Sequence, residues 1–167
     1  RDRKLGMVGM GRIGQAIAER ARAFGMSIAY TARSAKPELP YTFHDQVTAL
    51  AAQSDFLVVI TPGGAATRKL IDAPVLAALG PKGYLINVAR GSVVDETALI
   101  AALQAGTIAG AALDVFENEP QVPEALRTLD NVVLTPHIGS ATTATRHAMA
   151  ILAFENLRTF FAGQTPP

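Results

Sequence analysis

Cysteine is absent from the 167 residues, which excludes a disulfide framework and any thiolate-ligated metal site. Charge is scarce as well. Asp, Glu, Lys and Arg make up 17% of the chain and nearly cancel, leaving a formal net charge of +1. No broad basic field is there to attract nucleic acid or anionic lipid. No run approaches the roughly 18 apolar residues a membrane-spanning helix needs, and no secretory signal pattern is visible. What is abundant is small and apolar. Hydrophobic residues reach 49%, and alanine and glycine supply much of that, which suits close packing of helices on a sheet. The expectation is one domain with a real core, in a protein of a reducing compartment, placed in the cytoplasm, with no nucleic-acid, membrane or metal partner. The sequence begins at Arg1 and ends on Pro166-Pro167, directly after a long helical pattern. That start and finish suggest a piece of a longer polypeptide.

Strand-like and helix-like periodicities alternate along the chain. Apolar runs at 4–9, 27–30, 55–60, 84–87, 109–114 and 132–134 read as six strands. Helical patterns cover 12–24, 44–53, 66–71, 74–79, 96–105 and 143–161, with Gly106 a C-cap for the fifth. On the first helix, Ile13, Ile17, Ala21 and Phe24 are expected to face inward; on the second, Val47 and Leu50. Such alternation argues for an α/β fold, a Rossmann-like doubly wound parallel sheet in three αβα layers, of about six to seven strands. Right-handed crossovers then gather the strand carboxyl ends on one edge, where open α/β sheets bind ligands.

Gly9-Met10-Gly11-Arg12-Ile13-Gly14 follows the first strand and opens the first helix. In that context the spacing reads as a dinucleotide fingerprint. Gly9 would allow the tight turn, Gly11 the approach of the pyrophosphate, and Gly14 close contact of helix and strand. Backbone N–H groups of Arg12 and Ile13 would face the phosphates at the positive end of the helix dipole. An NAD-preferring site wants an acid about 20 residues further on. None occurs between Glu19 and Glu38, and the second strand ends in Thr31-Ala32-Arg33-Ser34. A guanidinium pairs with a 2′-phosphate and a hydroxyl donates to it, where a carboxylate would repel it. NADP(H) is therefore the expected cofactor, selected by Arg33 and Ser34, with NAD(H) as the lesser option.

Three ionisable residues each follow a later apolar run: Arg90, Glu119 and His137. Reducing a 2-oxo acid needs a cation to hold its carboxylate and polarise its carbonyl, and a proton donor for the developing alkoxide. Arg90 offers the first and His137 the second. A carboxylate beside an imidazole favours its charged form; Glu119 can take that part, with Glu117 as a competitor. Taken singly, each is also readable as an ordinary loop residue; their placement after three successive strands carries the argument. His44 and His147 lack that setting and read as structural or surface residues. Asp114, at the end of an apolar strand, needs a partner, either the nicotinamide carboxamide or a local turn.

Four segments, Val8 to Gly14, Ile86 to Glu96, Ala111 to Pro120 and Asn131 to Ser140, closely resemble the D-isomer-specific 2-hydroxyacid dehydrogenases. The likeness covers essentially the whole chain. Within that family the Ala32-Arg33-Ser34 segment is similar to the NADPH-dependent glyoxylate/hydroxypyruvate and hydroxyphenylpyruvate reductases. The resemblance implies that Arg90 binds substrate, that Glu119 rather than Glu117 partners the acid/base histidine, and that His137 is that histidine. It also implies that Asp114 contacts the nicotinamide amide, that Val88 and Ala89 flank the nicotinamide, and that Thr61 and Pro62 line the adenosine side. Gly139, in the same segment as His137, joins the cofactor-binding set. Relatives dimerise largely through this domain, so a homodimer is expected. Two departures stand out. Gly63-Gly64 occupies a place where many relatives carry bulkier residues, and nothing corresponds to the family's second domain. Residues 1–167 are thus expected to be the dinucleotide-binding domain alone. The rival expectation is a nucleotide-sensing module of the corepressor type, which resembles the same family. A formate dehydrogenase-like enzyme is disfavoured, because those relatives lack the carboxylate that Glu119 supplies.

Overall fold

The first apolar run forms β1 (Lys4–Val8), buried over its last four residues. After Gly9 the chain enters α1 (Arg12–Ala23) and returns as β2 (Ser27–Thr31), parallel to β1, with Val8 opposite Thr31. There follow β3 (Thr42–Phe43), α2 (Val47–Ala51), β4 (Phe56–Val59), α3 (Ala73–Leu79), β5 (Tyr84–Asn87), α4 (Glu96–Gln104), β6 (Gly110–Leu113), α5 (Glu124–Arg127) and β7 (Val132–Leu134). The computed structural model describes residues 2–167. All of these elements belong to one compact unit that ends at Pro136; a second, His137–Pro167, holds α6 (Thr143–Phe161).

The strands form one seven-stranded sheet in the order β3-β2-β1-β4-β5-β6-β7, parallel throughout. This is the expected Rossmann-like α/β architecture. The strand order reverses between β1 and β4, which places the ligand crevice beyond their carboxyl ends. Successive side chains on a strand point to opposite faces, and two separate cores result. Leu57 and Val59 of β4 join Leu50 of α2, Leu76 of α3 and Leu99 of α4 on one face. Val58 joins Met7, Tyr30, Ala18 and Ala21 on the other, beneath α1. Three layers follow from those two clusters.

Several expectations needed correction. The buried stripe of α1 is Gly14, Ala18 and Ala21, whereas Ile13 is 63% and Phe24 77% exposed. Small residues face the sheet because α1 lies so close to it: a Cβ on Gly14 would stand 2.6 Å from the Gly9 carbonyl oxygen. The seventh strand, β3, is a two-residue edge pairing, too short to show a period. His44 follows that strand rather than opening a helix, and α2 starts only at Val47. The expected helix at 66–71 is a single 3-10 turn at Ala65–Thr67, after which Ile71 pairs with Val94. A second such turn, Gly91–Val93, follows β5.

In the second unit, the Thr142 hydroxyl caps α6 by accepting the Thr145 N–H at 3.1 Å. No residue of α6 is buried. Among the described residues, no helix is long and apolar enough to cross a membrane.

Candidate active site

Beyond the carboxyl ends of β1, β2 and β4 lies a groove of about 610 Å³. Gly9 has φ +106, a conformation L side chains rarely adopt, and a Cβ there would stand 2.9 Å from the Thr61 nitrogen. Its N–H donates to the Thr31 carbonyl at 3.0 Å, which ties the glycine turn to the end of β2. Gly11 differs from both its partners in the fingerprint, since a Cβ there would meet nothing within 4 Å. Gly11 heads α1, and no side chain caps that end, nor does an acid lie in its first turn. The first N–H groups of α1 thus remain available to an anion.

The groove takes in Gly9 through Gly14, Ala32, Arg33, Ser34, Thr61 and Pro62. Every one of these was expected from the sequence; Lys36 and Ile60, which also line it, were not. Arg12, Arg33 and Lys36 contribute cations, and among the described lining residues none is acidic. An open helix N-terminus beside three cations suits the phosphates of a dinucleotide.

Further along the same sheet edge, β5 ends in Asn87, which is 1% exposed. Its Nδ2 donates to the Arg90 carbonyl at 3.1 Å and its Oδ1 accepts the Ala89 N–H at 3.1 Å. That pair of bonds curls residues 87–90 into a fixed loop and turns the exposed Arg90 side chain away from the core. Ala89 is buried and Val88 is 36% exposed in that loop. Arg90 Nη1 donates to the Ala89 carbonyl at 2.6 Å. Gly91 seats the loop: a Cβ there would overlap the Phe116 carbonyl, so the Arg90 loop packs directly on the segment leading to Glu119. Gly63 lies against the arginine's stem, its notional Cβ 2.9 Å from Arg90 Cγ and 3.2 Å from Arg90 Cβ. The Thr67 hydroxyl holds Gly63's own loop by donating to the Pro62 carbonyl at 2.7 Å.

At the end of β6, Asp114 is 8% exposed, and its Oδ1 accepts the Thr135 hydroxyl at 2.6 Å. Thr135, just past β7, is a partner the sequence reading did not foresee; its position opposite the end of β6 shows only once the sheet order is known. Glu119 Oε1 accepts the Phe116 N–H at 3.0 Å, which folds the 116–119 turn over its own carboxylate; the bond to Pro120 is cis. Glu117 is engaged elsewhere, paired with Arg68 at 3.1 Å, while its N–H donates to Glu96 Oε2 at 3.2 Å.

Arg90, Asp114 and Glu119 therefore all stand at the carboxyl ends of β5 and β6, in the first unit. His137 opens the second unit, immediately after Pro136 and the end of β7. It is exposed, and at φ +54 it holds a left-handed conformation that costs a non-glycine residue of order 1 kcal/mol and is concentrated at functional sites. Gly139 lies two residues further on, before α6, and is also exposed.

Comparison with known proteins gives the geometry its family. The model of the D-isomer specific 2-hydroxyacid dehydrogenase, NAD binding domain, matches residues 1–139. A hydroxyphenylpyruvate reductase of Plectranthus scutellarioides is 51% identical over 162 residues, covering 97% of this chain and 52% of that protein. A glyoxylate/hydroxypyruvate reductase A of Arabidopsis thaliana is 52% identical over 163 residues, covering 98% and 52%. The crystal structure of an NADPH-dependent glyoxylate/hydroxypyruvate reductase from Sinorhizobium meliloti, in complex with NADP and malonate, superposes with a TM-score of 0.95 at 56% identity, over 96% of this chain and 50% of that one. The chain spans about half the length of the relatives it matches. Matched across most of its length, and carrying the glycine groove and the Arg90 loop on one sheet edge, this chain belongs to the D-isomer-specific 2-hydroxyacid dehydrogenases, in their NAD-binding domain.

Proposed function

We propose that the intact protein is an NADPH-dependent reductase of small 2-oxo acids of the glyoxylate and hydroxypyruvate type, and that residues 1–167 are its dinucleotide-binding domain. The observation that carries this reading is the single sheet edge on which a cation-lined dinucleotide groove and a rigidly fastened Arg90 lie side by side. The relatives described above are reductases of such acids, which favours the enzyme over a nucleotide-sensing module.

Bound in the groove, the cofactor supplies a hydride from its nicotinamide C4. Gly11 would admit the pyrophosphate, with Gly9 and Gly14 shaping the turn and the close helix around it, and Arg12 and Ile13 would offer it backbone N–H groups. Arg33 and Ser34 receive the ribose 2′-phosphate, and Thr61 and Pro62 flank the adenosine side. Val88, Ala89 and Gly139 would help hold the nicotinamide, and Asp114, its carboxylate oriented by the Thr135 hydroxyl, would accept from its amide. Arg90 forks onto the substrate carboxylate and draws electron density from the carbonyl oxygen. His137 then gives its proton to that oxygen as the carbonyl carbon gains the hydride, so a 2-oxo acid leaves as a 2-hydroxy acid. Glu119 is the acid assigned to partner that histidine, its carboxylate held in its own turn by the Phe116 N–H. A second domain would form the other wall of the cleft, excluding water and fixing the substrate.

The test is steady-state oxidation of NADPH by the intact protein with glyoxylate, hydroxypyruvate and hydroxyphenylpyruvate. Turnover with at least one, and weaker use of NADH, is the expected result. Absence of turnover together with nucleotide-dependent assembly would identify the corepressor-type module instead. A cytoplasmic homodimer belongs to the same proposal. Support for self-association comes from α6, where Met149, Leu152, Phe154, Leu157 and Phe160 are each more than half exposed. Light scattering and cell fractionation test those two points.

A further inference from the structure

The groove's third cation is unused by the reading above. Lys36 lines the groove with Arg33 and Ser34, yet unlike them it is partly buried. Its backbone N–H donates to the Tyr30 hydroxyl at 2.7 Å. Tyr30 belongs to β2, is 1% exposed, and packs its ring against Phe43 of β3 at 5.4 Å. The five residues 32–36 thus leave the sheet at Thr31 and fold back onto the tyrosine at the edge of the same core. Their other end is held too, because the Thr31 carbonyl accepts the Gly9 N–H. A loop carrying Arg33 and Ser34 is therefore tied at one end to the glycine turn and at the other to a buried phenol.

We infer that Lys36 is a second cation for the cofactor's ribose 2′-phosphate and that Tyr30 is the positioning residue that holds it there. The inference rests on the NADPH reading above and adds to Arg33 and Ser34 a charge that the sequence did not single out. Neither residue touches the reacting atoms. With the backbone already fixed, only the lysine's own side-chain rotamers remain to be ordered when the phosphate binds, and two cations flanking one dianion explain a lining without an acid.

The experiment is calorimetric binding of 2′,5′-ADP and of 5′-AMP to the intact protein, two probes that differ only in the 2′-phosphate. Lys36→Met weakens 2′,5′-ADP about tenfold, the loss expected for one charge-assisted hydrogen bond, and leaves 5′-AMP within about twofold. Lys36→Arg restores most of the difference. Tyr30→Phe, which keeps the buried ring and removes only the hydroxyl, weakens 2′,5′-ADP several-fold and spares 5′-AMP. A merely structural tyrosine would weaken both probes together. If Lys36→Met moves both probes equally or neither, the inference is overturned, even should Tyr30→Phe fail to fold. Arg33→Asp separates this outcome from failure of the underlying reading. If Arg33→Asp abolishes the preference for 2′,5′-ADP while Lys36→Met does not alter it, only the Lys36 role falls. If neither alters it, the NADPH reading falls as well.

Discussion

Gly63→Ala adds one methyl group at an exposed loop position, and its effect on activity is expected to be large. The new Cβ would lie 2.9 Å from Arg90 Cγ and 3.2 Å from Arg90 Cβ, roughly half an ångström or more inside ordinary carbon contact. These atoms belong to the root of the arginine, so the strain cannot be shed by moving its tip. The Arg90 loop is held by both bonds from Asn87 and by the seat of Gly91 on Phe116, so the backbone resists displacement. The remaining escape is rotation about the arginine's first side-chain torsion, and about 30° off a rotamer costs roughly 0.5–1.5 kcal/mol. Because the guanidinium sits at the far end of that lever, it moves by on the order of an ångström, a misplacement that can cost about a hundredfold in rate. The expected outcome is a fall in kcat/KM for glyoxylate of about ten- to a hundredfold, at unchanged KM for NADPH and nearly unchanged melting temperature. A variant that keeps kcat/KM within about twofold would refute the claim that Gly63 makes room for Arg90.

The remaining expectations follow from other contacts. Arg33→Asp should raise the KM for NADPH by about tenfold or more, the loss of a charge-assisted bond plus repulsion, and leave that for NADH within a few-fold; equal losses would contradict Arg33's role. Glu119→Gln should lower kcat for 2-oxo acid reduction by about tenfold or more, since the carboxylate assigned to the acid/base machinery is lost; an unchanged kcat would leave Glu119 without its part. Asn87→Ala should destabilise the protein by about 2 kcal/mol, because a buried residue making two hydrogen bonds is lost, and lower kcat at least tenfold, readable in denaturant melts and kinetics. The Lys4 backbone N–H at 2.7 Å, with Arg3 beside it, holds the Asp55 carboxyl below its ordinary 3.8 while burial opposes them. A lowered carboxyl contributes stability that is present above about pH 4 and is lost as pH falls through its folded value. Asp55→Asn should therefore flatten the stability curve below pH 4; an unchanged slope there would show that Asp55 does not join β1 to β4.

Much of the fold was legible because its signals are long or chemically specific. Six of the seven strands are apolar runs, and the glycine spacing at 9–14 falls between a strand and a helix. What escaped depends on partners distant in the chain. The α1 face was misread because Ile13 and Phe24 look like core residues by hydropathy, whereas the sheet admits only Gly14, Ala18 and Ala21 at that separation. β3 exists through two pairs with β2 and carries no pattern of its own. Lys36 reads as a polar loop residue until Tyr30 is seen to draw its backbone inward. Thr135 reaches Asp114 only because β7 lies beside β6. Arg90, by contrast, could be picked out early, since Asn87 and Gly91 flank it in sequence as well as in space.

A crystal structure of the intact protein with NADPH and an unreactive 2-oxo acid analogue such as oxamate tests the central claim most directly. The Arg90 guanidinium should grip the analogue's carboxylate, and a ring nitrogen of His137 should stand within hydrogen-bond reach, about 2.6–3.2 Å, of its carbonyl oxygen. Were the analogue's carbonyl to face neither side chain, or the nicotinamide to lie away from both, hydride transfer assisted by Arg90 and His137 would be ruled out.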